Sequence, residues 1–156
     1  MNYSVEQLCK MIQNEKRVPR DFNQWYLIID NKEETTLAHL AATYKCLPPD
    51  FDRWYLRNKK GLTVAHVASI HGCLPSNFNQ WELVNEYGWT VAHTAVFNNN
   101  NLPINFDKWY LSNMDGWTVA HEAAYYGNLP SNFDYWDLTD MDGRTVRDIQ
   151  KQHINW

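Results

Sequence analysis

Residues 113–139 read NMDGWTVAHEAAYYGNLPSNFDYWDLT, and the same pattern recurs along most of the chain. Aligned on its second tryptophan, the pattern is Leu-Pro-x-x-Phe-x-x-Trp-x-Leu, a short polar turn, and then Gly-x-Thr-Val-Ala-His-x-Ala. The tryptophans that mark it are spaced by 29, 27, 28 and 27 residues: Trp25, Trp54, Trp81, Trp109 and Trp136. A period of about 20 to 50 residues is typical of a solenoid whose units are stable only when stacked.

The 156-residue chain has the composition of one soluble globular domain, with 44% hydrophobic residues, 21% charged residues and a formal net charge of -4. Its 14 lysines and arginines are scattered, so no basic surface favours nucleic acid. No apolar stretch is long enough for a signal peptide or a membrane span. We therefore expect a cytoplasmic protein that binds neither nucleic acid nor membrane.

The three cysteines are predicted to stay free, because an odd number argues against a disulfide framework. Cys46 and Cys73 occupy the same position in successive units. Stacked helices hold such positions about 8 to 10 Å apart, beyond the Cα separation of about 7 Å that a disulfide spans. Both residues, and Cys9, are interpreted as small packing residues in a reducing compartment.

A first helix in each unit is predicted from the residues that begin and end it. The threonine of Gly-x-Thr stands where an N-cap belongs, directly before a small-residue stretch such as 64–68. Gly72, Asn99 and Gly127 follow these stretches, and glycine and asparagine tolerate the left-handed conformation that ends a helix. Lys45 breaks this rule in the first repeat.

A second helix in each unit is predicted to begin at the next proline, because the fixed φ of proline suits the first helical turn. The prolines concerned are Pro48, Pro75, Pro103 and Pro130. Phe78 and Trp81, three positions apart, would share one face of such a helix. Leu83 would not, so the chain is expected to leave helical geometry near the tryptophan.

The ends of the array differ from its middle. Ser4 and Gln7 have the spacing of a capping box, and an apolar stripe runs from there to Ile12. The Gly-x-Thr pattern returns at 143–148 with Arg147 in place of alanine and Asp148 in place of histidine. Because repeat arrays need polar terminal units, we interpret both ends as caps of a complete array.

The stretch 113–127 resembles the opening half of an ankyrin repeat, Asp-x-x-Gly-x-Thr-Pro-Leu-His-x-Ala-Ala-x-x-Gly. The match recurs at 58–72 and 85–99, more weakly at 31–45, and as a cap from Asp140. The family's Thr-Pro-Leu-His is Thr-Val-Ala-His here, and the unit is shorter than the family's 33 residues or so. The resemblance implies an all-α solenoid of stacked helix-turn-helix ankyrin-like repeats with N- and C-terminal capping helices.

We therefore expect a single ankyrin-like repeat domain over residues 1–156. An N-terminal cap unit occupies 1–30 and a C-terminal cap occupies 140–156. Between them lie the first to fourth repeats, at 31–57, 58–84, 85–112 and 113–139.

The recurring histidines are interpreted as structural: His39, His66, His93 and His121. Two ligands of one zinc ion lie within about 4 Å of each other, whereas stacked helices place equivalent side chains about twice as far apart. We predict that each imidazole is buried, neutral and bonded to its cap threonine or a neighbouring loop. The sequence has no nucleophile elbow, phosphate-binding loop or zinc-type cysteine pair. It therefore predicts no enzymatic activity, no metal and no cofactor.

Positions that do not recur are available for recognition. The resemblance implies that partners contact the turn before the threonine and the residue pair that closes the first helix. These positions are rich in aromatic residues, which is typical of an interface core: Tyr44, Leu62, Ile70, His71, Tyr87, Trp89, Phe97, Met114, Trp117, Tyr125 and Tyr126. For Trp89 and Trp117 the alternative is packing over the alanine-rich helices of neighbouring units.

The predicted function is a non-catalytic protein-binding module that acts as an inhibitor or adaptor by masking or bridging a partner protein. One alternative is a small-molecule binder in which Trp89, Trp117 and Tyr126 stack a sugar or a nucleotide base. A second is a hydrolase with an unrecognised histidine-aspartate pair. A bacterial or viral effector that inhibits a host enzyme, and self-association, also stay open, and the sequence does not identify the partner.

Overall fold

A computed structural model describes residues 3–100 and 102–154 as a row of short helices joined by turns. Helix α1 (Val5–Lys10) continues into a π-helical segment, Met11–Glu15. Strand β1 (Ile28–Asp30) pairs antiparallel with β2 (Thr35–Thr36). One further helix lies in each repeat and one in the C-terminal cap: α2 (Leu37–Thr43), α3 (Val64–Ile70), α4 (Val91–Phe97), α5 (Val119–Tyr125) and α6 (Val146–Ile154).

Threonine begins the repeat helices, as predicted. Thr63, Thr90 and Thr118 have extended backbones, and each hydroxyl accepts a hydrogen bond from the backbone N–H of the histidine three residues on. The histidine Nδ1 accepts the threonine N–H in return. The result is a capping box with histidine in the position that glutamate or glutamine usually takes.

Each repeat helix ends at a residue in the left-handed conformation. The φ angle is 61° at Gly72, 54° at Asn99 and 70° at Gly127, which confirms the prediction for these positions. Lys45 has a φ of 57°, although its Cβ disfavours that conformation. The geometry of the repeat therefore overrides the residue's own preference in the first repeat.

Successive helices pack in chain order, α2 on α3, α3 on α4, α4 on α5 and α5 on α6. Their inner faces carry small, fully buried side chains such as Val64, Ala65 and Ala68 in α3. Small side chains let neighbouring helix axes approach closely, and each unit buries its core against the next. This arrangement confirms the predicted repeat solenoid, whose regular structure is mostly helical.

The second helix predicted in each unit does not form, so the helix-turn-helix description is wrong in that part. The N–H of Phe51 donates to the Pro48 carbonyl at 3.1 Å, and the N–H of Leu56 donates to the Arg53 carbonyl at 3.2 Å. The segment thus consists of two separate tight turns, and the other four units repeat this pair of bonds. A helix this short is marginal by itself, whereas the two turns bury the phenylalanine and tryptophan rings in the core.

The rings of these turns form one continuous row along the molecule. Trp54 meets Phe78 edge-to-face with ring centroids 5.4 Å apart, and Phe78 meets Trp81 at 5.0 Å. Ten rings alternate in this way from Phe22 to Trp136, with centroid separations of 4.7 to 5.8 Å. Edge-to-face pairs contribute about 0.5–1.5 kcal/mol each beyond area burial. The aromatic row therefore replaces the second helix as the element that joins units.

The capping box predicted at the N-terminal end is present, and the C-terminal cap has hydrogen bonds of the same kind. Gln7 N–H donates to the Ser4 hydroxyl at 3.2 Å, and Ser4 N–H donates to the Gln7 side chain at 2.8 Å. In the C-terminal cap the Asp148 carboxylate accepts both the N–H and the hydroxyl of Thr145. The cysteines are partly buried free thiols: Cys9, Cys46 and Cys73. Within residues 3–100 and 102–154, no helix combines the length and the apolar character needed to cross a membrane.

Candidate functional site

A hairpin turn leads into each repeat helix and presents the variable positions. In the second repeat, the Asn58 side chain accepts hydrogen bonds from the N–H groups of Lys60 and Leu62, both at 3.0 Å. Gly61 has a φ of 68°, and a Cβ there would lie 2.7 Å from the backbone nitrogen of Glu86 in the next turn. The third and fourth repeats make the same asparagine bonds. The turns therefore stack tightly and align their variable positions.

The recurring histidines join each helix to the next turn. His66 Nε2 donates to the Trp89 carbonyl and His93 Nε2 donates to the Trp117 carbonyl, both at 3.0 Å. The hydroxyl of the cap threonine donates to Nδ1 of each ring at 2.7 Å. The other two histidines bond in the same way, His39 to the Leu62 carbonyl and His121 to the Arg144 carbonyl. These partners assign a neutral ring with its proton on Nε2.

Burial keeps the histidine row uncharged. It lowers the pKa of His66 and of His93 to about 4, outweighing the carbonyl hydrogen bonds that raise it. Burial also lowers the pKa of His39 and of His121. The predicted structural role is confirmed, because both nitrogens of every ring are engaged within the fold. Among the residues that the structure describes, no group of three or more histidine, cysteine, aspartate or glutamate side chains could hold a metal ion.

One open groove collects aromatic side chains from the third and fourth repeats. Its volume is about 720 Å³, and the turn of the C-terminal cap closes one side of it with Met141, Asp142 and Arg144. Five of the predicted site residues line it, together with Asn113, Asp115 and Glu122: Trp89, Phe97, Trp117, Tyr125 and Tyr126. This surface is called the aromatic groove below.

Phe97 connects the two repeats within the aromatic groove. Its ring meets Trp89 edge-on with centroids 5.8 Å apart and Tyr126 at 5.9 Å. Tyr126 in turn meets Tyr125 at 5.1 Å. Phe97 and Tyr125 are each 54% exposed. The rings thus form a contiguous apolar surface that solvent reaches, and such a surface on a folded domain usually marks an interaction site.

The other six predicted positions do not line the aromatic groove: Tyr44, Leu62, Ile70, His71, Tyr87 and Met114. Tyr87 and Met114, on neighbouring turns, are 66% and 68% exposed. Tyr44 is partly buried, and the Lys16 ammonium lies over its ring, 3.7 Å from the centroid. The predicted residues therefore divide into one cluster at the third and fourth repeats and six side chains that lie outside it, distributed over all four repeats.

Trp89 and Trp117 are both partly buried, so each ring combines packing with exposure. Trp117 packs against the core, with its centroid 5.1 Å from that of His121, and its Nε1–H donates to a Glu122 carboxylate oxygen at 2.6 Å. Trp89 makes longer ring contacts, 5.7 Å to His93 and 5.8 Å to Phe97. Trp117 thus packs into the fold and also lines the groove, whereas Trp89 mainly lines the groove.

The predicted set lacks all four charged residues that line the groove, Asp115, Glu122, Asp142 and Arg144. Glu122 is only 5% exposed, and burial raises the pKa of its carboxyl despite the hydrogen bond from Trp117. Arg144 pairs with the buried carboxylate of Asp140 at 2.7 Å and lies over the Trp117 ring at 5.7 Å. A signal for Glu122 was present in the sequence, because the first three repeats have uncharged residues at its position: Leu40, Val67 and Thr94.

The stacked hairpins and single helices define an ankyrin-like repeat protein. Among 124 solved chains of similar structure is the ankyrin repeat domain of Bcl-3, a unique member of the IkappaB protein family. The two share a TM-score of 0.55 and 21% sequence identity over 77% of this chain and 68% of that chain. No protein-family model and no curated protein matches the sequence. The structural likeness confirms the ankyrin-like fold predicted from the sequence, and at this identity it shows the fold alone.

Proposed function

We propose that this chain is a non-catalytic module that binds another protein through the aromatic groove and the adjoining turns. The observation that carries the proposal is the contiguous exposed surface of Phe97, Tyr125 and Tyr126 between two partly buried indoles. Exposing such rings to water is unfavourable, and aromatic side chains are enriched in the cores of protein interfaces. Tyr87 and Met114 extend this surface along the turns.

The shape of the groove favours a protein over a small molecule as the ligand. Small-molecule sites bury about 70–90% of their ligand, whereas this groove is open to solvent rather than enclosed. A stable protein contact buries about 800 Å² on each partner. Exposed apolar side chains outside the groove, including Ile70, Tyr87 and Met114, can supply the additional area.

The mode of action we propose is occupancy, as an inhibitor that masks a partner's surface or an adaptor that bridges two partners. The histidine row has a structural role, since each ring forms hydrogen bonds with both its cap threonine and the next turn. The three free thiols suit a reducing, cytoplasmic compartment. The scattered charges of a chain with net charge -4 do not favour nucleic acid as the partner.

Affinity capture from a lysate of the native host tests this proposal. The double variant Phe97→Ala/Tyr126→Ala removes the centre of the groove. The matched control is Tyr110→Ala, because Tyr110 lies outside the groove and is 56% exposed, close to the 54% of Phe97. We expect wild type and control to retain the same partner, and the double variant to lose it with little change in melting temperature. Retention by the double variant, or equal loss from the control, would contradict the proposal.

A further inference from the structure

Glu122 is a buried acid that has no basic partner among the described residues. Within residues 3–100 and 102–154, its carboxylate receives one hydrogen bond, from Trp117 Nε1–H at 2.6 Å, and takes part in no ion pair. A buried carboxylate normally has a cation or several donors, because desolvation of the charge is unfavourable. The equivalent positions of the other repeats are uncharged, so the repeat itself does not require an acid there. Glu122 also lines the aromatic groove.

The charges around the groove leave it negative. Three acids line it, Asp115, Glu122 and Asp142, against one base, Arg144, which gives a formal balance of -2. That one base is already engaged, because its guanidinium pairs with Asp140 at 2.7 Å and with Asp142 at 3.0 Å. A cation that enters the groove would therefore meet an unpaired carboxylate between aromatic walls.

The aromatic walls favour a guanidinium over an ammonium group. A guanidinium is planar, less strongly hydrated than an ammonium, and able to bond a carboxylate while it lies against aromatic rings. The protein already shows this chemistry at the edge of the groove, where the Arg144 guanidinium lies 5.7 Å from the Trp117 centroid. Phe97 and Tyr126 offer further exposed ring surface in the same groove.

We propose that the aromatic groove receives an arginine side chain from an exposed segment of the partner protein, with the guanidinium bound by Glu122. The inference rests on the proposed function, since it names the chemistry of the residue that the protein-binding surface recognises. Phe97 and Tyr126 contact the aliphatic and planar parts of that side chain. Glu122 provides the charge that distinguishes it from a neutral side chain of the same shape.

Titration with small amides tests this inference without knowledge of the partner. The probes are the amides of Nα-acetylarginine, Nα-acetyllysine and Nα-acetylcitrulline, and citrulline is the neutral isostere of arginine. The readout is the NMR resonance of the Trp117 indole N–H, which donates to Glu122. We expect arginine amide to bind with a dissociation constant on the order of 1–10 mM, and the other two amides to bind at least about tenfold more weakly.

A charge-neutralising variant locates the site. Glu122→Gln keeps an acceptor for the Trp117 N–H and is expected to weaken arginine binding by about tenfold, whereas the control Glu86→Gln, on an exposed acid outside the groove, leaves it unchanged. The comparison of arginine with citrulline in the wild type needs no variant and holds even if Glu122→Gln unfolds. Equal binding of citrulline or lysine amide, or no shift with arginine amide, overturns the inference. Capture that still depends on Phe97 and Tyr126 would then leave the proposed function standing.

Discussion

His93 Nε2 donates a hydrogen bond to the backbone carbonyl of Trp117 at 3.0 Å, and this bond joins α4 of the third repeat to the hairpin turn of the fourth. His66 makes the same bond to the carbonyl of Trp89. Both acceptor residues carry the indoles that wall the aromatic groove. The fold therefore positions its candidate binding surface with imidazoles that are buried and uncharged.

Acidification is predicted to destabilise the fold between about pH 6.5 and pH 4. Burial lowers the pKa of His66 and of His93 from 6.5 to about 4 in the folded protein. Within that window the unfolded chain binds more protons than the folded chain, so the free energy of unfolding decreases as the pH falls. A difference of about 2.5 pKa units corresponds to about 3 kcal/mol for each of these histidines. Urea unfolding at several pH values between 7.5 and 4 measures the effect.

A variant with one fewer buried histidine isolates this contribution. In His93→Gln, a side chain that does not titrate can still bond Thr90 or the Trp117 carbonyl. We expect a lower free energy of unfolding than wild type at pH 7.5, because glutamine fills the space of the imidazole less well. We also expect the free energy of unfolding to decrease less as the pH falls. Parallel pH profiles for the two proteins would show that His93 is not a source of the dependence.

Truncating one tryptophan of the aromatic row is predicted to weaken the whole array. Trp81 is buried and contacts Phe78 at 5.0 Å in its own unit and Phe106 at 5.8 Å in the next. Trp81→Ala removes both edge-to-face contacts and leaves a cavity, so we expect a loss of about 3–5 kcal/mol in the free energy of unfolding. Tyr110→Ala, which removes an exposed ring, should change stability by less than about 0.5 kcal/mol. Similar losses in the two variants would show that the row does not join the units.

The local capping could be predicted from the sequence because its residues are close together in the chain. Thr63 and His66, three positions apart, have the spacing of a capping box whatever the rest of the fold does. Pro75 led to the wrong prediction of a second helix, because the fixed φ of proline suits a tight turn as well as the start of a helix. The position of Leu83, out of phase with a helix, was the evidence for the turn. Glu122 differs from the uncharged residues at its position in the other repeats, but its burial and its bond to Trp117 depend on the fold, which periodicity does not show.

Lys45 offers a site for stabilisation, because it ends α2 in the left-handed conformation with a φ of 57°. Lys45→Gly removes the Cβ that disfavours this conformation, and the greater freedom of glycine in the unfolded chain offsets part of the gain. We expect an increase of about 0.5–1 kcal/mol in the free energy of unfolding, seen as a higher midpoint of thermal unfolding.

The reverse change at Gly143 is the matched control. Gly143 has a φ of 76°, and a Cβ there would meet no atom within 4 Å, so Gly143→Ala tests the backbone conformation without a steric clash. We expect the free energy of unfolding to decrease by about 1 kcal/mol. If Gly143→Ala has no effect, or Lys45→Gly destabilises the protein, then left-handed strain does not limit stability at these turns.

Trp117→Ala is predicted to cost more stability than Trp89→Ala, because only Trp117 donates to a buried carboxylate. Its removal takes ring packing away from His121 and leaves Glu122 without its donor, for a combined loss of about 3–5 kcal/mol. Trp89→Ala removes longer ring contacts and should lower the free energy of unfolding about half as much as Trp117→Ala. Urea unfolding of the two variants measures the difference.

Trp117→Phe separates the hydrogen bond from the ring packing, since phenylalanine keeps an aromatic ring but has no N–H. We expect a loss of about 1–3 kcal/mol, the usual effect of leaving a buried polar group without its partner. The same change in a Glu122→Leu background should cost much less, because the carboxylate that needs the donor is gone. Equal losses in the two backgrounds would mean that the contact between Trp117 and Glu122 contributes nothing to stability and that Trp117 acts through packing alone.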